Sequence, residues 1–501
     1  MPPQVLVPER TNQGDRIIHV VDGDEQTSMD ARNRGGPLNT PPPGPRNRIR
    51  VARLVLAIGV VVGLALLGGQ LAIQPSSPSA STDLNLLQDR APSARPPGAS
   101  SSPVAGSSAG VNPGDRSLAE IDRLLTALKA APESGELYRD LGFAYLQRAR
   151  DTGDPSSYPS AEEAFSQASS RLPDDPLILV GLGGLQLARH EFAAAFDTGS
   201  AALKLAPGFP SAQSVVVDAL VELGRYEEAL VVADELLVDD SLPAWNRTSY
   251  LRELHGDLPG ALAAMEEAAV RGAGVPENEA FTFTLVGTLN AYVGRQDRAT
   301  IVYDKALQVF PGYGPALAGK ARLAIAQGDL EAGVRLFEQA VAILPLSEYV
   351  IGLGEAQEAS SDLAAARSSY ELAAFQIQLF QSNGVIVDVE LALFEADHGD
   401  VAKSLEYARA SYAERENVKT ADTLAWALYR NGDLDAAARH SREALRLGSK
   451  DPLLLYHAGA IAAKRGETAS ARALLTEALK IDAGFSATGA ADARSILDGL
   501  K

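Results

Sequence analysis

The residues of this 501-residue chain whose chemistry could be catalytic or metal-binding are six histidines and a few paired carboxylates. His190, His255, His398, His440 and His457 fall tens of positions apart, and a metal site or proton relay needs such groups at ligand spacing. His255 and His398 each stand directly before a glycine, the place of a last-turn residue whose imidazole meets the negative end of a helix. His190 occupies the corresponding place in an earlier segment, and His440 and His457 have no carboxylate at ligand spacing on one helical face. The pairs Glu162–Glu163, Glu227–Glu228 and Glu266–Glu267 read as solvated helix positions rather than an acid and its base. No phosphate loop, nucleophile elbow or dinucleotide fingerprint occurs. The chain has no cysteine, which excludes disulfides, thiolate zinc and a cysteine nucleophile. The sequence therefore points away from an enzyme, with no catalytic residue, metal or cofactor expected, and toward binding.

The elements that must carry a binding surface begin at a membrane. Leu54 to Ile73 reads LVLAIGVVVGLALLGGQLAI, uncharged and apolar on every face. At this length a helix covers about 30 Å, the thickness of a bilayer's hydrocarbon. Arg46, Arg48, Arg50 and Arg53 precede it, whereas the first charge after it is Asp83 and the first cation Arg90. That asymmetry predicts an uncleaved single-pass anchor in the plasma membrane, with the N-terminus cytoplasmic and the bulk of the chain outside or in the periplasm. A cleaved signal peptide would need a better site than the one ending at Ala80 behind Pro78. Met29 as a start would shorten the tail without altering this topology. Gly59 and Gly63 form a GxxxG spacing through which two such helices could approach as a homodimer. Residues 1–50 read as a disordered tail, 51–73 as the transmembrane helix and 74–116 as a disordered Ser/Pro/Ala/Gly linker. Net charge is −19 although the first 73 residues carry eight Arg against six acids, so the rest is strongly acidic and no nucleic-acid partner is expected.

Beyond the linker, Ser117 and Glu120 have the spacing of a capping box and open a leading helix over 117–134. From 135 onward one pattern returns. Short turns hold Gly224, Gly256, Gly294, Gly328, Gly399, Gly432 and Gly466 at intervals of 32, 38, 34, 71, 33 and 34, and Ser361 divides the long interval. Each glycine is placed just past a helix, in the left-handed conformation, and the Asp that often follows caps the next helix. Downstream come Ala, a bulky residue four later, Ala, then Pro, as in Ala161, Phe165, Ala168, Pro173 and Ala299, Tyr303, Ala306, Pro311. A further unit reads Gly333, Phe337, Ala340, Pro345. Small residues at this spacing let two helices pack closely, and the Pro stops the second of them.

This pattern resembles the tetratricopeptide repeat family, whose first-helix half is matched by Tyr138, Leu141, Gly142 and Tyr145 and again by Leu353 and Gly354. The resemblance implies an all-α helix-turn-helix superhelix: about ten units over 135–485 and a capping helix over 486–501. It also implies a concave face lined by first helices. In the fifth unit these would present Phe281, Thr284, Thr288 and Tyr292; in the seventh Glu348, Ile351, Glu355 and Glu358; in the ninth Asp422, Trp426, Tyr429 and Arg430. The Lys and Asn with which related chaperone-binding members grip a C-terminal carboxylate are missing here. Phe281, Tyr292, Trp426, Tyr429 and Arg430 are the candidate partner-binding residues, the exposed aromatics serving as anchors. The function expected is that of a membrane-anchored scaffold binding protein or peptide partners, in assembly or maturation of an envelope or secreted complex. The alternative is a regulatory or substrate-recruiting subunit for an enzyme or signalling system encoded elsewhere.

Overall fold

The computed structural model describes residues 113–500. The expected tail, anchor, GxxxG pair and most of the linker lie outside them. Among the described residues no helix is long and apolar enough to cross a membrane. Every regular element there is helical. A leading helix α1 (Pro113–Ala130) precedes ten helix pairs, and α22 (Ala487–Gly499) follows them. The pairs are α2–α3 (Gly135–Thr152, Tyr158–Arg171), α4–α5 (Pro176–Ala188, Phe192–Leu205), α6–α7 (Pro210–Glu222, Tyr226–Leu236) and α8–α9 (Leu242–Leu254, Leu258–Arg271). Next come α10–α11 (Pro276–Tyr292, Gln296–Val309), α12–α13 (Gly314–Ala326, Leu330–Ile343) and α14–α15 (Ser347–Ala359, Leu363–Ser382). The last three are α16–α17 (Asp388–His398, Val401–Glu414), α18–α19 (Val418–Arg430, Leu434–Ala444) and α20–α21 (Pro452–Lys464, Thr468–Ile481).

The turn chemistry explains most boundaries. Gly224, Gly256, Gly294, Gly328, Gly432 and Gly466 all have φ between 73° and 86°. Asp257, Asp329, Asp362 and Asp433 each accept a backbone N–H three residues on, capping their second helices. Two expectations fail. Gly399 has φ −138°, because α16 runs on to His398 and Asp400 caps α17 from an extended conformation. Ser117 is not an N-cap: it lies inside α1, which starts four residues earlier, and its hydroxyl donates to the Gly114 carbonyl. Asn246, which opens an Asn-Arg-Thr triplet of the glycosylation type, is 3 % exposed and offers no surface for that modification. Its neighbour Arg247 is buried too, and pairs at 2.6 Å with Asp218 of the preceding unit. Burial pushes the Asp218 carboxyl up to about 6 even against the pull of that guanidinium.

What holds a pair together is a bulky second-helix residue seated on glycine. Phe165 is fully buried, and a Cβ added at Gly142 of its own unit or at Gly181 of the next would overlap its ring. Tyr303 sits in the same way on Gly287 and Gly319, and Phe337 on Gly352. The alanines that flank these residues, Ala161, Ala168, Ala299 and Ala306, have no exposed surface. A helix approaching on both sides of one ring therefore joins each unit to the next as well as closing it. Gly184, also buried in α4, has room for a methyl group by contrast: an added Cβ would meet only Leu146, at an ordinary contact distance of 3.9 Å. The two sites should respond oppositely to the same methyl group. Gly181→Ala should lose about 1–3 kcal/mol through overpacking, whereas Gly184→Ala should gain about 0.5–1 kcal/mol from lower chain entropy. Urea unfolding of the two variants measures both.

Candidate functional site

The inner face belongs to the first helices, and their ends meet residues far away in sequence. At the end of α4 the Arg189 carbonyl accepts from the Ile386 N–H at 3.1 Å, and His190 Nδ1 lies 2.6 Å from the Ile386 carbonyl. At the end of α6 the Glu222 carbonyl accepts from Asn417 Nδ2 at 2.6 Å. Asn417 is also the N-cap of α18, in a reciprocal capping box with Thr420. One side chain thus caps a helix and ties it to another. The Val418 N–H donates to the Tyr226 hydroxyl at 3.0 Å, and Lys419 Nζ lies 3.3 Å from Glu222 Oε1. Next along, Gly256 meets the Gly448 carbonyl so closely that a Cβ would overlap it, and Gly484 meets that of Arg322 likewise. Units two, three and four thus touch the starts of units eight, nine and ten. The array winds far enough for one turn to rest on the one before it. In each contact a helix C-terminus, partly negative, faces a segment that opens a helix N-terminus, partly positive.

This seam and the face behind it are rich in ionisable groups. Burial would lower the Lys419 amine, but the Glu222 carboxylate and the Tyr250 hydroxyl beside it together outweigh burial and raise it. Burial would raise Glu222, yet Lys419, Arg415 and His190 together hold it below its ordinary value. For Glu253, at the end of α8, the pull of Lys419 is too weak to do the same. Burial and then the charge of Asp451 push it up to about 7. Glu355 on α14 is also pushed up to about 7 by burial, against a hydrogen bond from Ser486 that favours the charged form. Among the described residues no group of three or more His, Asp or Glu is placed to hold a metal ion.

The predicted partner-binding residues have different fates. Trp426 is 3 % exposed, which corrects its reading as an exposed anchor. Its ring stacks on His457 at 4.0 Å and on Tyr429 at 4.9 Å, and its Nε1–H donates to Asp397 of the preceding unit. Arg430 is exposed and pairs with the same Asp397 oxygen at 2.8 Å. Phe281, Tyr292 and Tyr429 are half-buried. Asp422 is buried and lies 2.8 Å from His457 Nδ1, so His457 does have a carboxylate partner. That partner is one repeat away rather than on the same helix, and the period of the sequence was the signal that could have found it. Thr288 is hydrogen-bonded to the Tyr303 hydroxyl, and Glu358 accepts from Tyr370. Tyr292, Trp426 and Tyr429 fall in one hydrophobic cluster, which Phe281 does not join. The seam residues His190, Glu222, Asn417 and Lys419 were missed, because nothing local marks contacts between positions 192 to 197 apart.

The raised carboxyls set a sign for pH dependence. Glu253, Glu355 and Asp218 hold a proton in the fold up to about pH 7, 7 and 6, well above their ordinary values. The folded chain thus binds more protons than the unfolded chain between about pH 5 and 7, and stability falls as pH rises through that window. His398, lowered mainly by burial, works in the opposite sense below pH 6.5 but is a single group. Melting temperature should rise by about 2–5 °C between pH 8 and pH 6, and the Glu253→Gln, Glu355→Gln double variant should flatten the profile. Thermal melts at constant ionic strength measure it.

Models of the tetratricopeptide repeat match residues 149–210, 217–276 and 423–484, and a second such model matches 314–339. No curated protein matches the sequence. Similar solved structures include a human IFIT1 dimer with PPP-AAAA, at 15% identity and TM-score 0.41, covering 66% of this chain and 78% of that one. TTC0263, a thermophilic TPR protein in Thermus thermophilus, is 22% identical at TM-score 0.32, covering 42% of this chain and 100% of its own. PilW, a type IV pilus biogenesis factor, is 18% identical at TM-score 0.34, covering 39% and 91%.

Proposed function

We propose that this chain of tetratricopeptide repeats is a membrane-anchored scaffold that binds protein or peptide partners in the assembly or maturation of an envelope or secreted complex. The observation that carries the reading is the array itself, ten stacked helix pairs whose inner face bears charged and aromatic groups. Repeat arrays of this kind present extended surfaces on which a partner segment can lie. The acidic balance outside the first 73 residues favours a partner segment that is basic or apolar over a phosphate backbone. The apolar run Leu54–Ile73 and its four preceding arginines support an anchor with the array on the outer side of the membrane.

With Trp426 taken up in packing, the candidate contact residues are Phe281, Tyr292, Tyr429 and Arg430. A photo-crosslinking side chain at position 281 or 292 of the full-length protein should capture a discrete partner in cells. Tyr292→Ala with Arg430→Glu should weaken that capture about tenfold, a loss of about 1.4 kcal/mol. A phosphatase that matures only outside the cytoplasm, fused after Lys501, should be active. Activity of a cytoplasmic reporter at the same place would reject the outward-facing array.

A further inference from the structure

We propose that the line where the second turn of the array rests on the first is a latch: the two turns can part along it while every helix pair stays folded, and parting uncovers the inner residues. Three independent observations support this. The first is the thinness of the contact. Helix-on-helix packing between the turns is confined largely to α14 against α22, whereas most units pack along their length against the next, the α15–α16 junction being a thin exception. Elsewhere the seam consists of loop hydrogen bonds, the Lys419–Glu222 pair, side chains laid over rings, such as Arg415 over Phe192 and Arg446 over Tyr226, and a few apolar side chains such as Val418, buried in the cluster around Leu220. Polar contacts of this kind are each worth little in net terms, because water replaces them when they open.

The second observation is strain stored at the seam. His190 has φ 62° at a turn where most other units place glycine, and its ring is committed to the Ile386 carbonyl across the contact. A side chain held in the left-handed region is disfavoured unless its surroundings compensate, and here the compensating hydrogen bond comes from the opposite turn. The third is a division among the turn glycines. Gly224 and Gly256 would each drive a Cβ into backbone of the opposing turn, at Glu416 and Gly448. Gly294 and Gly328 have the same positive φ and nothing within 4 Å. Of these four glycines, two therefore serve both their own turn and the closure of the coil, and two serve their turns alone.

That division supplies a matched experiment. The Gly224→Ala, Gly256→Ala double variant and its counterpart Gly294→Ala, Gly328→Ala carry the same backbone penalty, and only the first wedges the seam. The chain has no cysteine, so thiols introduced at the exposed Glu227 and Glu416 are the only label sites in the full-length protein. Paired spin labels there should report a short, narrow distance in the parent and in the Gly294/Gly328 variant. In the Gly224/Gly256 variant the distance should lengthen by at least a helix diameter, about 10 Å, with the circular dichroism of the control retained. Lys419, held by Glu222 in the closed array, should then become at least tenfold more reactive to a water-soluble acylating reagent, with exposed Lys480 as the internal standard. An unchanged distance overturns the latch. Helicity lost relative to the control also overturns it, by showing that the seam is part of the fold rather than a closure upon it. The inference deepens the partner-binding reading by naming how the inner face is reached. No partner enters the measurement, so its failure is separable from failure of that reading.

Discussion

The structure depends on rings seated on glycines. An aromatic residue on a second helix occupies space that two first helices vacate by having no side chain there. Because the same ring touches its own unit and the next, intra-unit closure and inter-unit stacking are one interaction. Phe165 between Gly142 and Gly181 and Tyr303 between Gly287 and Gly319 show this directly. A chain built so has no single core. Instead it has a succession of clusters, some shared between neighbours and some joining the two turns, and the stability of any unit rests on those it touches.

Winding adds a second order of contact. Close packing at every step tilts each unit against the last by a similar amount, and about six units bring the chain back over itself. The contacts made there differ in kind from those within the stack. Stacking buries apolar surface along whole helices, whereas the seam matches helix ends of opposite partial charge, pairs a few ionised groups and buries a few apolar side chains such as Val418. The inner face consequently concentrates carboxyls away from bulk water, and Glu253 and Glu355 are pushed toward neutrality without any catalytic arrangement around them. Perturbed ionisation here is a consequence of coiling.

Much of the fold was legible because the period of the sequence is the period of the structure. The turn glycines, the capping aspartates and the Ala–bulky–Ala spacing each act within one unit, so a local pattern suffices to place them. Gly399 was misread because its turn departs from the rule, α16 running on through His398. Trp426 was misread for a different reason. A first-helix position that looks free within one unit is covered by Asp397 of the unit before and His457 of the unit after. The Asp422–His457 contact lay within reach, since both residues fall near the same place in adjacent units.

By itself the sequence determined the helix pairs, their number, their order and the residues by which they stack, since all of these are set by interactions spanning one repeat or two. Only the tertiary structure decided which turns meet after a full winding, and with that the seam at His190, Glu222, Asn417 and Lys419 and the ionisation of the groups behind it. The physical reason is accumulation. The tilt between neighbours is small and follows from packing rather than from any residue pattern, but summed over six units it selects one partner for each helix end. A local code carries no record of that sum.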